Sequence, residues 1–78
     1  MRKVIETYVS GNITVGSSYE ADVSTKAFPI KGRSLVDISK GKTVEVKKVD
    51  KEQVIFIYNK KECVMDMEDF KRDFVRKV

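Results

Sequence analysis

The chain has 78 residues, 41% hydrophobic and 36% charged, with a net charge of +4. That is near the lower limit for one unaided core, so residues 1–78 are expected to form one small domain, with a homo-oligomer or a partner as support for a thin core. Histidine is absent and Cys63 is the one cysteine, which excludes an internal disulfide, the usual zinc sets and Ser-His or Cys-His nucleophile pairs.

Met1-Arg2-Lys3-Val4-Ile5 begins like a secretory leader, but Glu6 interrupts the apolar region. No stretch approaches membrane-spanning length, so the expectation is a cytoplasmic protein with no membrane contact. Residues 3–9 are rich in β-formers and lead to a turn at Ser10-Gly11-Asn12. Ile13-Thr14-Val15 follows, and Gly16-Ser17-Ser18 punctuates again. Residues 19–24 alternate, which predicts a half-buried strand with Tyr19, Ala21 and Val23 inward and Glu20 and Asp22 in solvent.

Residues 25–42 are the least regular. Pro29 lacks a ladder donor and biases Phe28 toward extended backbone. Ala27-Phe28-Pro29-Ile30 is expected to lay an apolar anchor over one end of the core. Leu35-Val36-Asp37-Ile38 reads equally as a short strand or a single helical turn.

From Gly41 the pattern strengthens into a three-strand meander over 43–49, 53–58 and 62–67, with connections at 50–52 and 59–61. Val54-Ile55-Phe56-Ile57-Tyr58 is apolar on both faces and is expected at the centre of the sheet. Cys63, Met65 and Met67 share one face, where methionine serves as core filler. A C-terminal helix is predicted next, capped by Asp66 with Asp69 as capping-box partner. Glu68 and Asp69 fall in its first turn, Lys71, Arg72, Arg76 and Lys77 lie toward its end, and Phe70, Phe74 and Val78 form one stripe.

The expected fold is therefore mainly β: a small, strongly bent antiparallel sheet or SH3-like barrel closed by a short C-terminal helix. The tail "GKTVEVKKVDKEQVIFIYNKKECVMDMEDFKRDF" resembles the β-meander ends of small SH3-like proteins, phage-encoded ones among them. That resemblance is a hydrophobic rhythm and carries no residue roles.

Charge is unevenly distributed. Residues 1–25 sum to −1, residues 26–51 to +5 and residues 52–78 to zero, so the positive excess sits in the middle third. Lys31-Gly32-Arg33-Ser34 and Lys40-Gly41-Lys42-Thr43 repeat one pattern: a glycine between two cations, then a hydroxyl. The second spells the end of a phosphate-binding loop, but the first glycine of such a loop would fall at Val36, and a strand rather than a helix follows Thr43. Two readings remain for these turns. Glycine supplies a positive φ while the lysines stay solvated, or free amides form a small anion-binding nest.

Catalytic chemistry has little foothold. Glu20 with Asp22, and Asp66 with Glu68, read as solvated or helix-start carboxylates, and Cys63 reads as a buried thiol without a base. The expectation is a non-enzyme without metal or cofactor. Lys31, Arg33, Lys40, Lys42, Lys47 and Lys48 form the candidate binding segment, with Tyr8 and Tyr58 as the aromatics best placed to be partly exposed. Lysine-rich edges also simply deter strand aggregation. The leading expectation is a non-catalytic module that occupies a partner protein, in the manner of a phage-type regulator or inhibitor. The alternatives are an oligomer that sequesters a small anion or nucleotide, and a weak, non-specific nucleic-acid binder acting through residues 31–48.

Overall fold

The structure is a computed structural model describing residues 13–77. The strand expected over 3–9, the turn at 10–12, Tyr8 and Val78 lie outside the described residues. Among the described residues seven strands and one helix follow in order: β1 (Ser18–Ala21), β2 (Thr25–Pro29), β3 (Val36–Ile38), β4 (Thr43–Val49), β5 (Gln53–Tyr58), β6 (Lys61–Asp66), α1 (Met67–Asp73) and β7 (Phe74–Arg76). They form one sheet in the order β3-β2-β6-β5-β4-β1-β7, antiparallel at every pairing. The expected mainly-β bent sheet with a short C-terminal helix is what forms, as a curled half-barrel.

The curl follows from connection lengths. β1 and β2 stand four strand positions apart in the sheet, yet only Asp22, Val23 and Ser24 join them. Four strand spacings span about 19 Å in a flat sheet. The chain from Ala21 to Thr25 reaches at most about 14 Å. A flat sheet is therefore impossible, and β1 and β2 must be drawn together across the concave side. Residues 39–42, between β3 and β4, impose the same demand again.

The concave face holds the core. Val54 pairs with Met65, Phe56 with Cys63 and with Val46, and Tyr19 with Val44, and all of these are buried. β5 occupies the middle of the seven strands, as its two apolar faces imply. Phe70 of α1 enters this face and meets Tyr19 edge-on at 5.3 Å, Phe56 at 5.5 Å and Phe74 in a 4.5 Å stack. Four rings thus fill the hollow of the half-barrel. Cys63 is fully buried, which pushes its thiol pKa up and leaves it a small hydrophobe.

Several expectations need correction. Val23 is 45% exposed because β1 ends at Ala21 and the chain bends away. Of the proposed 27–30 anchor only Ala27 is buried; Phe28 is 65% exposed and Ile30 44%. Of the two readings left open for Leu35-Val36-Asp37-Ile38, the strand is the one found, as β3 over Val36–Ile38, with Leu35 preceding it. Asp66 flanks α1 but its side chain makes no cap hydrogen bond; the backbone carbonyl of Glu52 accepts from the Met67 amide instead. The helix also ends early. In a continuing helix the Asp73 carbonyl would accept from Lys77, but it accepts from Asp22, while the Lys77 amide donates to Ser18. Phe74-Val75-Arg76 then pairs with β1 as β7.

Asp73 is the buried acid at this junction. Its carboxylate accepts from Thr25 Oγ1 at 2.8 Å and from Arg72 Nε at 3.0 Å, and its carbonyl takes the Asp22 amide at 2.7 Å. Burial alone would raise its pKa; hydrogen bonds from Arg72 and Thr25, with the charge of Arg72, outweigh burial and hold it below the ordinary value. Asp73→Ala should cost about 2–3 kcal/mol and Thr25→Val about 1 kcal/mol in urea unfolding. A depressed folded-state pKa means the charge contributes fully above the unfolded-state value near 3.8 and is lost as pH falls through the folded-state value. Stability of the native chain should accordingly fall more steeply than that of Asp73→Asn as pH drops below about 5. Parallel curves for the two proteins would refute this role.

Candidate anion-binding groove

Pairing of β2 with β6 brings two distant turns side by side. Pro29 lies opposite Cys63, and the Ile30 amide donates to the Glu62 carbonyl at 2.9 Å. The β2–β3 turn therefore sits next to the β5–β6 turn, Asn59-Lys60. Between them lies an open groove of about 540 Å³. Lys31, Gly32, Arg33 and Ser34 line one wall, and Lys60, Lys61 and Glu62 the other.

Local sequence shapes both walls. A Cβ on Gly32 would meet the Pro29 ring at 2.9 Å, so glycine here permits close packing of the turn on Pro29. The positive φ expected of this glycine is absent; it occurs at Gly41, with φ +92°. Across the groove, Asn59 (φ 52°) and Lys60 (φ 65°) both adopt left-handed backbone, making a two-residue hairpin turn between paired Tyr58 and Lys61. Asparagine tolerates that region well, whereas glycine is the usual second residue.

The electrostatics are lopsided. Among the described residues, Lys31, Arg33, Lys60 and Lys61 make no ion pair, whereas Lys26 pairs with Asp37 and Lys77 with Glu20. Glu62 is the acid of the groove, and Lys47 forms an ion pair with it. The hydrogen bond and charge of Lys47, reinforced by Lys31, hold the Glu62 carboxyl below its ordinary pKa. The amides of Arg33 and Ser34 have no hydrogen-bond partner among the described residues, whereas the Gly32 amide closes the turn at residues 30–31.

The candidate residues thus separate into groups. Lys31, Gly32, Arg33 and Ser34 are gathered in the groove, with Lys47 at its margin through Glu62. Lys48 sits beside Ile55 on the convex face. Lys40, Gly41, Lys42 and Thr43 belong elsewhere, at the connection bound to the end of β1. There the Gly41 amide donates to Ala21, Lys42 to Ser39 and Lys40 to Ser24 Oγ, while the Thr43 hydroxyl accepts from Lys77. Of the two readings left open for this second turn, its three engaged amides and the positive φ of Gly41 favour a plain glycine turn over an anion-binding nest. Tyr58 is half-buried against the core. Lys60 and Lys61 were missed by the sequence reading, although their Asn-Lys-Lys turn was visible. Only the β2–β6 pairing shows that this turn faces residues 31–34.

Among the described residues no group of three acids or cysteines is placed to hold a metal ion, and no helix is long and apolar enough to cross a membrane. Comparisons with known proteins return no matching family, no matching curated protein and no matching solved structure.

The left-handed lysine gives a direct test of the turn. A residue bearing a side chain pays roughly 1–2 kcal/mol there, offset in part by glycine's greater freedom when unfolded, roughly 0.5–1 kcal/mol. Lys60→Gly should therefore raise stability by about 0.5 kcal/mol in urea unfolding, while Lys60→Ala should bring no gain. A destabilised Lys60→Gly variant would contradict the left-handed assignment.

Proposed function

We propose that this chain is a non-catalytic module that binds a partner protein through the convex side of β2 and the turn that follows it. The observation that supports the reading is the exposure of three large apolar side chains there: Phe28 at 65%, Leu35 at 48% and Ile30 at 44%. Phe28 lies opposite Val64, which in turn lies opposite Ile55, so an apolar row continues across three strands on the convex face. Burying an aromatic and two aliphatic side chains is worth about 1.5–3 kcal/mol each, enough to anchor an interface. Unpaired Lys31 and Arg33 border the row and favour a partner with acidic groups around an apolar recess. The mixture of exposed aromatic, aliphatic and arginine side chains is typical of docking surfaces rather than of catalytic clefts.

Because these side chains lie outside the core, their removal should leave the fold unchanged. Phe28→Ser with Leu35→Ser should keep the native circular dichroism spectrum and melting temperature within about 3 °C. The native chain, immobilised and exposed to a lysate from its own cellular setting, should retain one protein in stoichiometric amount, and the double variant should lose it. Retention of that protein by both chains, or recovery of nucleic acid alone by the native chain, would count against this function.

A further inference from the structure

We infer that the groove between the β2–β3 and β5–β6 turns binds a polyphosphate oxyanion, either free or as the phosphate chain of a nucleotide, with Lys31, Arg33 and Lys60 as its principal cations. This site shares Lys31 and Arg33 with the margin of the proposed docking surface, but its contacts do not require the apolar side chains of the convex row.

Three observations converge. The first is charge placement. Lys31, Arg33, Lys60 and Lys61 come from segments some thirty positions apart and are brought to one groove by strand pairing, without ion-pair partners among the described residues. Like charges gathered in one place repel, and a multivalent anion relieves that repulsion while taking a bidentate contact from the guanidinium. The acid present, Glu62, is paired with Lys47 and feels Lys31 only at longer range, so Arg33, Lys60 and Lys61 face the groove without an acidic partner among the described residues.

The second is backbone. The amides of Arg33 and Ser34 follow one another just after the 30–31 turn, without partners among the described residues. Successive amides of this kind supply neutral donors to phosphate oxygens, and the Ser34 hydroxyl adds a further donor. The Lys40-Gly41-Lys42 turn, so similar in sequence, has its amides bonded within the fold and offers charge alone.

The third is the residue at position 60. Its φ of 65° favours glycine, yet a lysine occupies it and lines the groove. A left-handed conformation kept at some cost in stability is common where the side chain has a task. At about 540 Å³ the groove falls within the usual range for small-molecule sites. Its lining carries no aromatic side chain for base stacking, so recognition rests on the phosphate chain.

The test is isothermal titration calorimetry of the full 78-residue chain at low ionic strength, with inorganic tripolyphosphate in one arm and ATP in the other. Saturable one-site binding is expected. Lys31→Ala with Arg33→Ala should weaken it by roughly tenfold or more, the loss of two charge-assisted contacts. Lys60→Gly should weaken it several-fold while leaving the chain as stable as before or more so, which separates lost binding from lost folding. Lys40→Ala with Lys42→Ala should leave affinity within about twofold, apart from a small long-range effect. Equal affinities for the two anions would assign the site to the phosphate chain alone, and tighter ATP binding would make a nucleotide the source. No saturable binding of either anion, a response only to polynucleotide, or equal loss in the 31/33 and 40/42 variants would overturn the assignment.

Discussion

The three-residue link between β1 and β2 governs the molecule. It joins strands that a flat sheet would hold some 19 Å apart, across a reach of at most about 14 Å, so the sheet has to curl. The curl creates the hollow that Phe56, Phe70, Phe74 and Tyr19 fill. It also brings the start of β2 to the end of α1, where Asp73 accepts from Thr25 and from the Asp22 amide. The link, the helix end and the first residue of β2 are thereby tied at one point. Stopping α1 at Asp73 belongs to the same constraint, because the carbonyl that would extend the helix is engaged with the link.

The chain order also decides which surfaces meet. β2 crosses the hollow and lands beside β6 rather than beside β1, and its end then lies against the start of β6. Cations separated in sequence become neighbours, while cations adjacent in sequence are parted. Lys31 and Arg33 join Lys60 and Lys61, and Lys40 and Lys42 remain with β1 and β4. A short local motif therefore says little about its electrostatic company. Two Lys-Gly turns of nearly identical sequence differ here in amide bonding and in glycine conformation.

What was legible in the sequence follows the same division between local and non-local causes. β4 and β5 begin and end where alternation and turn residues place them, and β5 lies at the centre because both its faces are apolar. The bent sheet and terminal helix could be read from the same rhythm. Phe28 was not, because apolar character predicts burial, and only the pairing of Ala27 with Val36 and of Phe28 with Val64 shows which of the two faces the hollow. The helix end was missed because Phe70 and Phe74 keep their four-residue spacing and still stack at 4.5 Å, although Phe74 already belongs to a strand. In the candidate site, Lys31, Gly32, Arg33 and Ser34 could be picked out from composition; Lys60 and Lys61 required the register between β2 and β6.

The small size of the domain explains why its two faces differ so sharply. A single curved layer has one concave side, and here that side encloses the full aromatic complement of α1, β1 and β5 apart from the half-buried Tyr58. The convex side has no second layer among the described residues, so Ile55, Ile57 and Val64 stay half-buried and Phe28 stands largely in solvent. An isolated chain gains nothing from Phe28 in that position, since water contact forfeits most of its hydrophobic contribution. The convex row can therefore be altered with little effect on the core, whereas the groove is tied to the fold through the Pro29–Gly32 packing and the β5–β6 turn. Stability and recognition thus rest on largely different side chains, and the residues that overlap, Gly32 and Lys60, are those whose identities answer to backbone geometry as well as to chemistry.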